Sequence, residues 1–214
     1  TLPPLGDSGP EPDGPIPDGF VGDIPLDPDG PPPLPDKGPT PDQTPVPSGV
    51  VVISEFMADP NAVNDGTGEY VELYNPGKAS VNIHGWKLRD DGSDSHVIAA
   101  PNAQLIIPPK TFVVLGRSDD KSQNGGITVA YVYTNFFLSN SAGGDEIILE
   151  DPSGKIIDGF GYSQAKGFTI TPGAALSVKD PLGDKNNSAI WCTETNPWTG
   201  SAGDKGTPGA NPGC

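Results

Sequence analysis

The chain has 214 residues, a formal net charge of −16 and a pI near 4.2. A chain this acidic lacks the clustered Lys and Arg that a nucleic-acid backbone demands, and no run approaches the ~18 apolar residues of a membrane-spanning helix. Gly (29) and Pro (27) together exceed a quarter of the residues, which places low complexity somewhere in the chain.

That low complexity is at the front. Residues 1–48 hold 16 Pro, 7 Gly and nine acids against the single base Lys37. Proline fixes φ and removes a donor, so helix and central strand are both excluded. The block reads as an extended polyproline-rich arm, able to reach roughly 150 Å at about 3.1 Å per residue. Its apolar residues Leu5, Ile16, Phe20, Ile24 and Leu34 are spaced singly. They cannot form a core, but each could anchor the arm on a neighbouring subunit. Thr1 in place of an initiator Met reads as a processed or excised chain.

From Gly49 the texture changes to short β-branched runs between turn clusters. Val50-Val51-Val52-Ile53 opens the domain. In Glu69–Asn75 a period of two puts Tyr70, Glu72 and Tyr74 on one face and Val71, Leu73 and Asn75 on the other. Further strands are expected at 81–88, 96–99, 104–107, 111–116, 127–133, 145–150, 155–161 and near 175–178. Asp151-Pro152-Ser153-Gly154 is a hairpin turn, with Pro presetting φ and Gly closing it. Many short strands with turns at roughly ten-residue spacing predict an all-β sandwich over 49–214.

The last segment carries both cysteines, Cys192 and Cys214. A single pair in an acidic, Gly/Pro-rich chain reads as a disulfide formed in an oxidising compartment, the alternative being two free thiols. A loop of that length is stabilised by roughly 3 kcal/mol in the chain-entropy description.

Acidic loops are the candidate cation sites. Asp59, Asn64, Asp65 and Glu69 offer oxygen ligands between two strands, and calcium is the cation such a loop would take. The D-x-D-x-D-G spacing of a helix–loop–helix calcium site is missing, and Asn and Asp are also ordinary turn formers. Asp90-Asp91-Gly92-Ser93-Asp94 is a second acidic loop. Asp119-Asp120 sits between Arg117 and Lys121 and is expected to pair with them. No G-x-S-x-G elbow accompanies the two histidines, so no catalytic residue is assigned. Gly-rich stretches such as Ala142-Gly143-Gly144 precede strands, not helices, and cannot cradle a phosphate. Trp86 is expected in the core, and Trp191 and Trp198 over the sandwich edge. Tyr131, Tyr133, Phe136 and Phe137 are expected to divide between core and an exposed contact or sugar-stacking patch.

Three strings then stand together: Ile53-Ser54-Glu55-Phe56-Met57, Gly68-Glu69-Tyr70-Val71-Glu72-Leu73-Tyr74-Asn75 and Gly85-Trp86-Lys87-Leu88. With Leu138-Ser139-Asn140 and Asp145 they resemble the bacterial lamin-tail domain family, matching its I-x-E-x-M, G-E-Y-V-E-L-x-N and G-W-x-L strands. His84 departs from the small polar residue usual at its position. The resemblance implies an immunoglobulin-like β-sandwich without catalytic machinery, used extracellularly or at a bacterial cell surface for binding, anchoring or assembly. The ending Gly206-Thr207-Pro208-Gly209, followed by Asn211, resembles that of secreted lamin-tail proteins.

The expected function is a non-catalytic secreted or cell-surface module that assembles with copies of itself or with extracellular components, its arm contacting neighbouring subunits. An adhesion or ligand-binding module on a passive spacer is the alternative, with an accessory domain of a secreted hydrolase behind it.

Overall fold

The computed structural model describes residues 51–214. The arm and its expected anchors Leu5, Ile16, Phe20, Ile24 and Leu34 lie outside the described residues.

Strands and turns dominate. β1 (Val52–Met57) leads through one helical turn, α1 (Asp65–Gly68), into β2 (Tyr70–Tyr74). There follow β3 (Val81–Asn82), β4 (Lys87–Arg89), β5 (Ser95–Val97), β6 (Ile106–Ile107), β7 (Phe112–Gly116) and β8 (Tyr131–Val132). The last strands are β9 (Asp145–Glu150), β10 (Ile156–Tyr162), β11 (Leu176–Val178) and β12 (Trp191–Thr193). One sheet runs β12-β11-β1-β2-β7-β8, a second runs β10-β9-β4-β5, and β3 pairs with β6. All pairs are antiparallel except β7 with β8. This is an all-β, immunoglobulin-like sandwich, as expected.

The period of two sets the core. Val71 and Leu73 of β2, Leu115 of β7, and Leu176 and Val178 of β11 face Ile147 and Leu149 of β9 and Leu88 of β4. An aromatic cluster fills one end, with Phe160 and Trp191 ring centroids 4.6 Å apart and Phe56 and Tyr162 4.8 Å apart. Trp86 is buried, as expected. Trp191, expected over an edge, is instead a core residue, its Nε1 donating to Lys185 O at 2.9 Å. A buried ion pair spans the layers nearby: Lys185 Nζ lies 3.2 Å from Asp158 Oδ2, which also accepts from Ile53 N at 2.7 Å.

Local chemistry explains where the strand expectations miss. The run 81–88 breaks into β3 and β4 because Gly85 takes φ +81 and Trp86 N turns back to Ile83 O. The run 127–133 keeps only two strand residues, because the Asn124 side chain binds Ile127 N and O and holds the loop. A strand expected to end at Trp191 instead begins there, as β12. Ile190-Trp191-Cys192-Thr193 is a short β-branched and aromatic run, but the tail's Gly and Pro content masks it.

Candidate functional site

The acidic loop after β1 starts from the four residues expected to share a cation. Among them the structure brings Asp59 and Asp65 together: the Asn140 amide donates to Asp59 Oδ1 at 3.3 Å and to Asp65 Oδ2 at 3.4 Å. Burial and the Asp59 charge push the Asp65 carboxyl above its usual range. Asn64 takes another role, its carbonyl accepting from Thr67 and Gly68 N at the start of α1. Glu69 turns inward, where Oε2 accepts from Leu138 N at 3.4 Å. Burial raises its pKa to about 8. Asp59 and Asp65 thus share a partner in Asn140, while Asn64 and Glu69 bond elsewhere. Among the described residues, no group of three or more His, Cys, Asp and Glu side chains is arranged to hold a metal ion. Asn140, in the Leu138-Ser139-Asn140 string, is the residue that links the two acids.

The other charged loops are also self-contained. Asp90 Oδ1 accepts from Gly92 N and Asp94 N, and Arg89 reaches Asp91 and Glu150. Asp120 does not pair with Arg117 or Lys121. It accepts from Ser122 N at 2.9 Å, Ser122 Oγ at 2.7 Å and Gln123 Nε2 at 3.0 Å, forming a closed turn. Arg117 instead donates to Phe136 O and lies 4.2 Å from the Phe137 ring centroid. The aromatic quartet divides as expected: Tyr133 and Phe136 are buried, while Phe137 is 50% exposed. Tyr131 OH contacts His96 Nε2 at 2.9 Å, and Thr134 N donates to His96 Nδ1 at 3.2 Å. A cavity of about 180 Å³ lies behind Asn140, against Tyr162, Gln164, Phe168 and Ile170.

The densest polar chemistry lies on the outer face of the six-stranded sheet. Register puts Cys192, Ser177, Glu55 and Glu72 in one row across β12, β11, β1 and β2. A bulge between Ile53 and Glu55 turns Ser54 and Glu55 to the same side. Glu55 and Glu72 are each 1% exposed, because the segment after Glu194 crosses this face. The disulfide Cys192–Cys214, as expected, closes that segment, with Cα atoms 6.0 Å apart. Glu55 accepts from Ser177 Oγ at 2.5 Å, from Thr207 N at 3.0 Å and from Tyr70 OH. Glu72 accepts from Ser54 Oγ at 2.6 Å and Gly209 N at 2.5 Å. Burial pushes both carboxyls up, Glu72 to about 8 with the Glu55 charge as second cause. Thr207 of the Gly206–Gly209 ending and Glu194, not singled out in the sequence, complete the cluster.

Each diagnostic residue thus has a structural task. Asn75, fully buried, donates to Ala79 O and Ile107 O and accepts from Gly77 N, fixing the turn after β2. Among the described residues, no helix is long and apolar enough to cross a membrane. A comparison with curated proteins finds no match. A comparison with protein families matches residues 44–164, more than half the chain, to the lamin tail domain, an immunoglobulin-like structural domain without catalytic residues of its own. With its strand strings, its sandwich and this match in agreement, the chain belongs to the lamin tail domain family.

Proposed function

We propose that this protein is a non-catalytic structural module that works outside the cell or at its surface, assembling with copies of itself or with extracellular components. The observation that carries the reading is how the family's polar residues are used. Glu55, Glu69, Glu72 and Asn75 are all buried and bonded to the fold's own loops and tail. Groups committed in this way hold a scaffold and are not free to turn over a substrate. The disulfide supports an oxidising location.

The Pro/Asp/Gly arm supplies the assembly element in this reading. Proline has already lost much of the chain entropy that docking would otherwise cost, so singly spaced apolar residues such as Phe20 and Ile24 suffice as anchors. Head-to-tail contacts of this kind extend into filaments. Sedimentation and electron microscopy of the full chain and of a variant lacking residues 1–45 test it. Assembly by the full chain and a folded monomer after deletion are expected. Equal assembly by both, or a monomeric full chain whose arm is cut at once by protease, overturns it. The second outcome favours the adhesion reading, for which the cavity beside Asn140 is the observation.

A further inference from the structure

Residues 203–214 form a strap over the outer face of β12, β11, β1 and β2; backbone bonds at Lys205 and Gly206 fix its start, to Gly173 O, Ala175 N and Asn196 O, and carboxyl groups hold the rest. Thr207 N and Oγ1 donate to Glu55, Gly209 N donates to Glu72 Oε2, and Gly213 N donates to Glu194 Oε1 at 2.9 Å. Upstream, Asp204 accepts from Asn61 N at 3.1 Å and Ala62 N at 3.0 Å. The approach is close enough that a Cβ on Gly206 would stand 2.6 Å from Tyr70 OH and 3.1 Å from Glu55 Oε1.

The charges around this contact are of one sign. Glu55 comes from β1, Glu72 and Tyr70 from β2, and Glu194 from the end of β12, while β11 contributes only Ser177. On the strap, Asp204 faces the loop after β1, and the Lys205 side chain is exposed. Among the described residues, no Lys, Arg or His side chain hydrogen-bonds or ion-pairs with Glu55, Glu72 or Glu194. Thr207 Oγ1 has one proton and two carboxyl groups to serve. It donates to Glu55 Oε2 at 2.5 Å and offers Glu194 Oε1, at 3.3 Å, only a lone pair. Glu194 Oε2, in a side chain 1% exposed, is buried with no partner at all. Full negative charges on both Glu55 and Glu72 cannot stay packed here without a cation.

We propose that the strap is a proton-controlled latch: it stays closed while the Glu55–Glu72 pair holds protons, and lifts from the sheet when the pair ionises. A proton on Glu72 fits the geometry. With Oε2 accepting from Gly209 N, the proton sits on Oε1; the 2.6 Å contact then reverses, Oε1 donating to Ser54 Oγ, and the Ser54 hydroxyl donates instead to Glu72 O at 3.3 Å. When Glu72 ionises beside Glu55, repulsion is relieved by admitting water beneath the strap. The backbone bonds at Lys205 tie one end and the Cys192–Cys214 bond the other, so opening is local and reversible. It uncovers Ser177, Glu55, Tyr70 and Glu72.

Hydrogen exchange on the full-length, disulfide-intact protein tests this, with rates corrected for the intrinsic pH dependence of amide exchange. From about pH 6 to about pH 9, Thr207 and Gly209 amides should lose at least about tenfold in protection, while Ile148 in β9 keeps its own. The midpoint should lie near pH 8. Glu72→Gln, which keeps the site neutral, should hold the strap closed at the upper pH. A carbon-13 titration of the Glu72 carboxyl in the wild type gives a check that does not depend on the variant folding. Flat strap protection, parallel loss in β9, a variant that opens like the wild type, or a Glu72 midpoint below about pH 5 would each overturn the latch.

Discussion

Glu69 and Glu72 stand three residues apart, so the period of two sends them to opposite faces of β2. Glu69 meets the Leu138 loop, and Glu72 meets Ser54 and the strap. Burial is the first cause that raises both to about 8. The native state therefore keeps protons that the unfolded chain gives up near the usual 4.5. The stability this contributes is complete below that value and is lost as pH rises through about 8. Replacing Glu69 with Gln removes one such group. Thermal melts should show E69Q matching the wild type near pH 4 and exceeding it by at least about 2 °C near pH 9. Equal melting at the higher pH would mean that Glu69 ionises without cost. That Glu69 is an interior acid was legible only as part of a motif. In sequence Glu69 stands as a cation ligand with Asp59, Asn64 and Asp65, because an acid next to Asp-rich turn residues looks the same whether its strand points it out or in.

Turns were the most legible elements and strand ends the least. Asp151-Pro152-Ser153-Gly154 forms the expected hairpin between β9 and β10, with Asp151 Oδ1 accepting from Ser153 N at 2.8 Å and Gly154 at φ +84. Gly144, at φ +73, looks similar in sequence but differs in space. A Cβ there would stand 1.6 Å from Tyr162 O, whereas one on Gly154 meets nothing within 4 Å. Gly154→Ala should thus cost only the left-handed strain, about 1–2 kcal/mol. Gly144→Ala must also displace the loop from β10 and should cost about 3 kcal/mol or more. Urea unfolding of the two variants measures the difference, and equal midpoints would refute the close approach. The runs 81–88 and 127–133 were overdrawn because β-propensity registers apolar side chains but not a glycine turn or an asparagine that captures the backbone.

For the whole molecule, the disulfide decides how firmly the tail serves as a wall of the fold. It joins residues 22 apart, Cys192 in an edge strand to Cys214 at the far end of the strap. Replacing both with Ser should lower unfolding free energy by roughly 3 kcal/mol. The loss should appear first as exchange in the strap, and calorimetry together with amide exchange would record it. Unchanged melting would show the tail held by its carboxyl contacts alone. The sandwich, the family, the turn chemistry, the burial of Trp86 and the cysteine pair follow from the residue string. Alternation and turn residues act over a few neighbours, so one reading of the chain contains them. The packing of the strands, by contrast, puts Trp191 in the core, makes Glu69 and Glu72 interior acids, and brings Glu55, Glu72 and Glu194 under one roof. Those depend on which strands lie side by side and on what crosses them. Residues 55 and 207 meet through a register that no local pattern encodes.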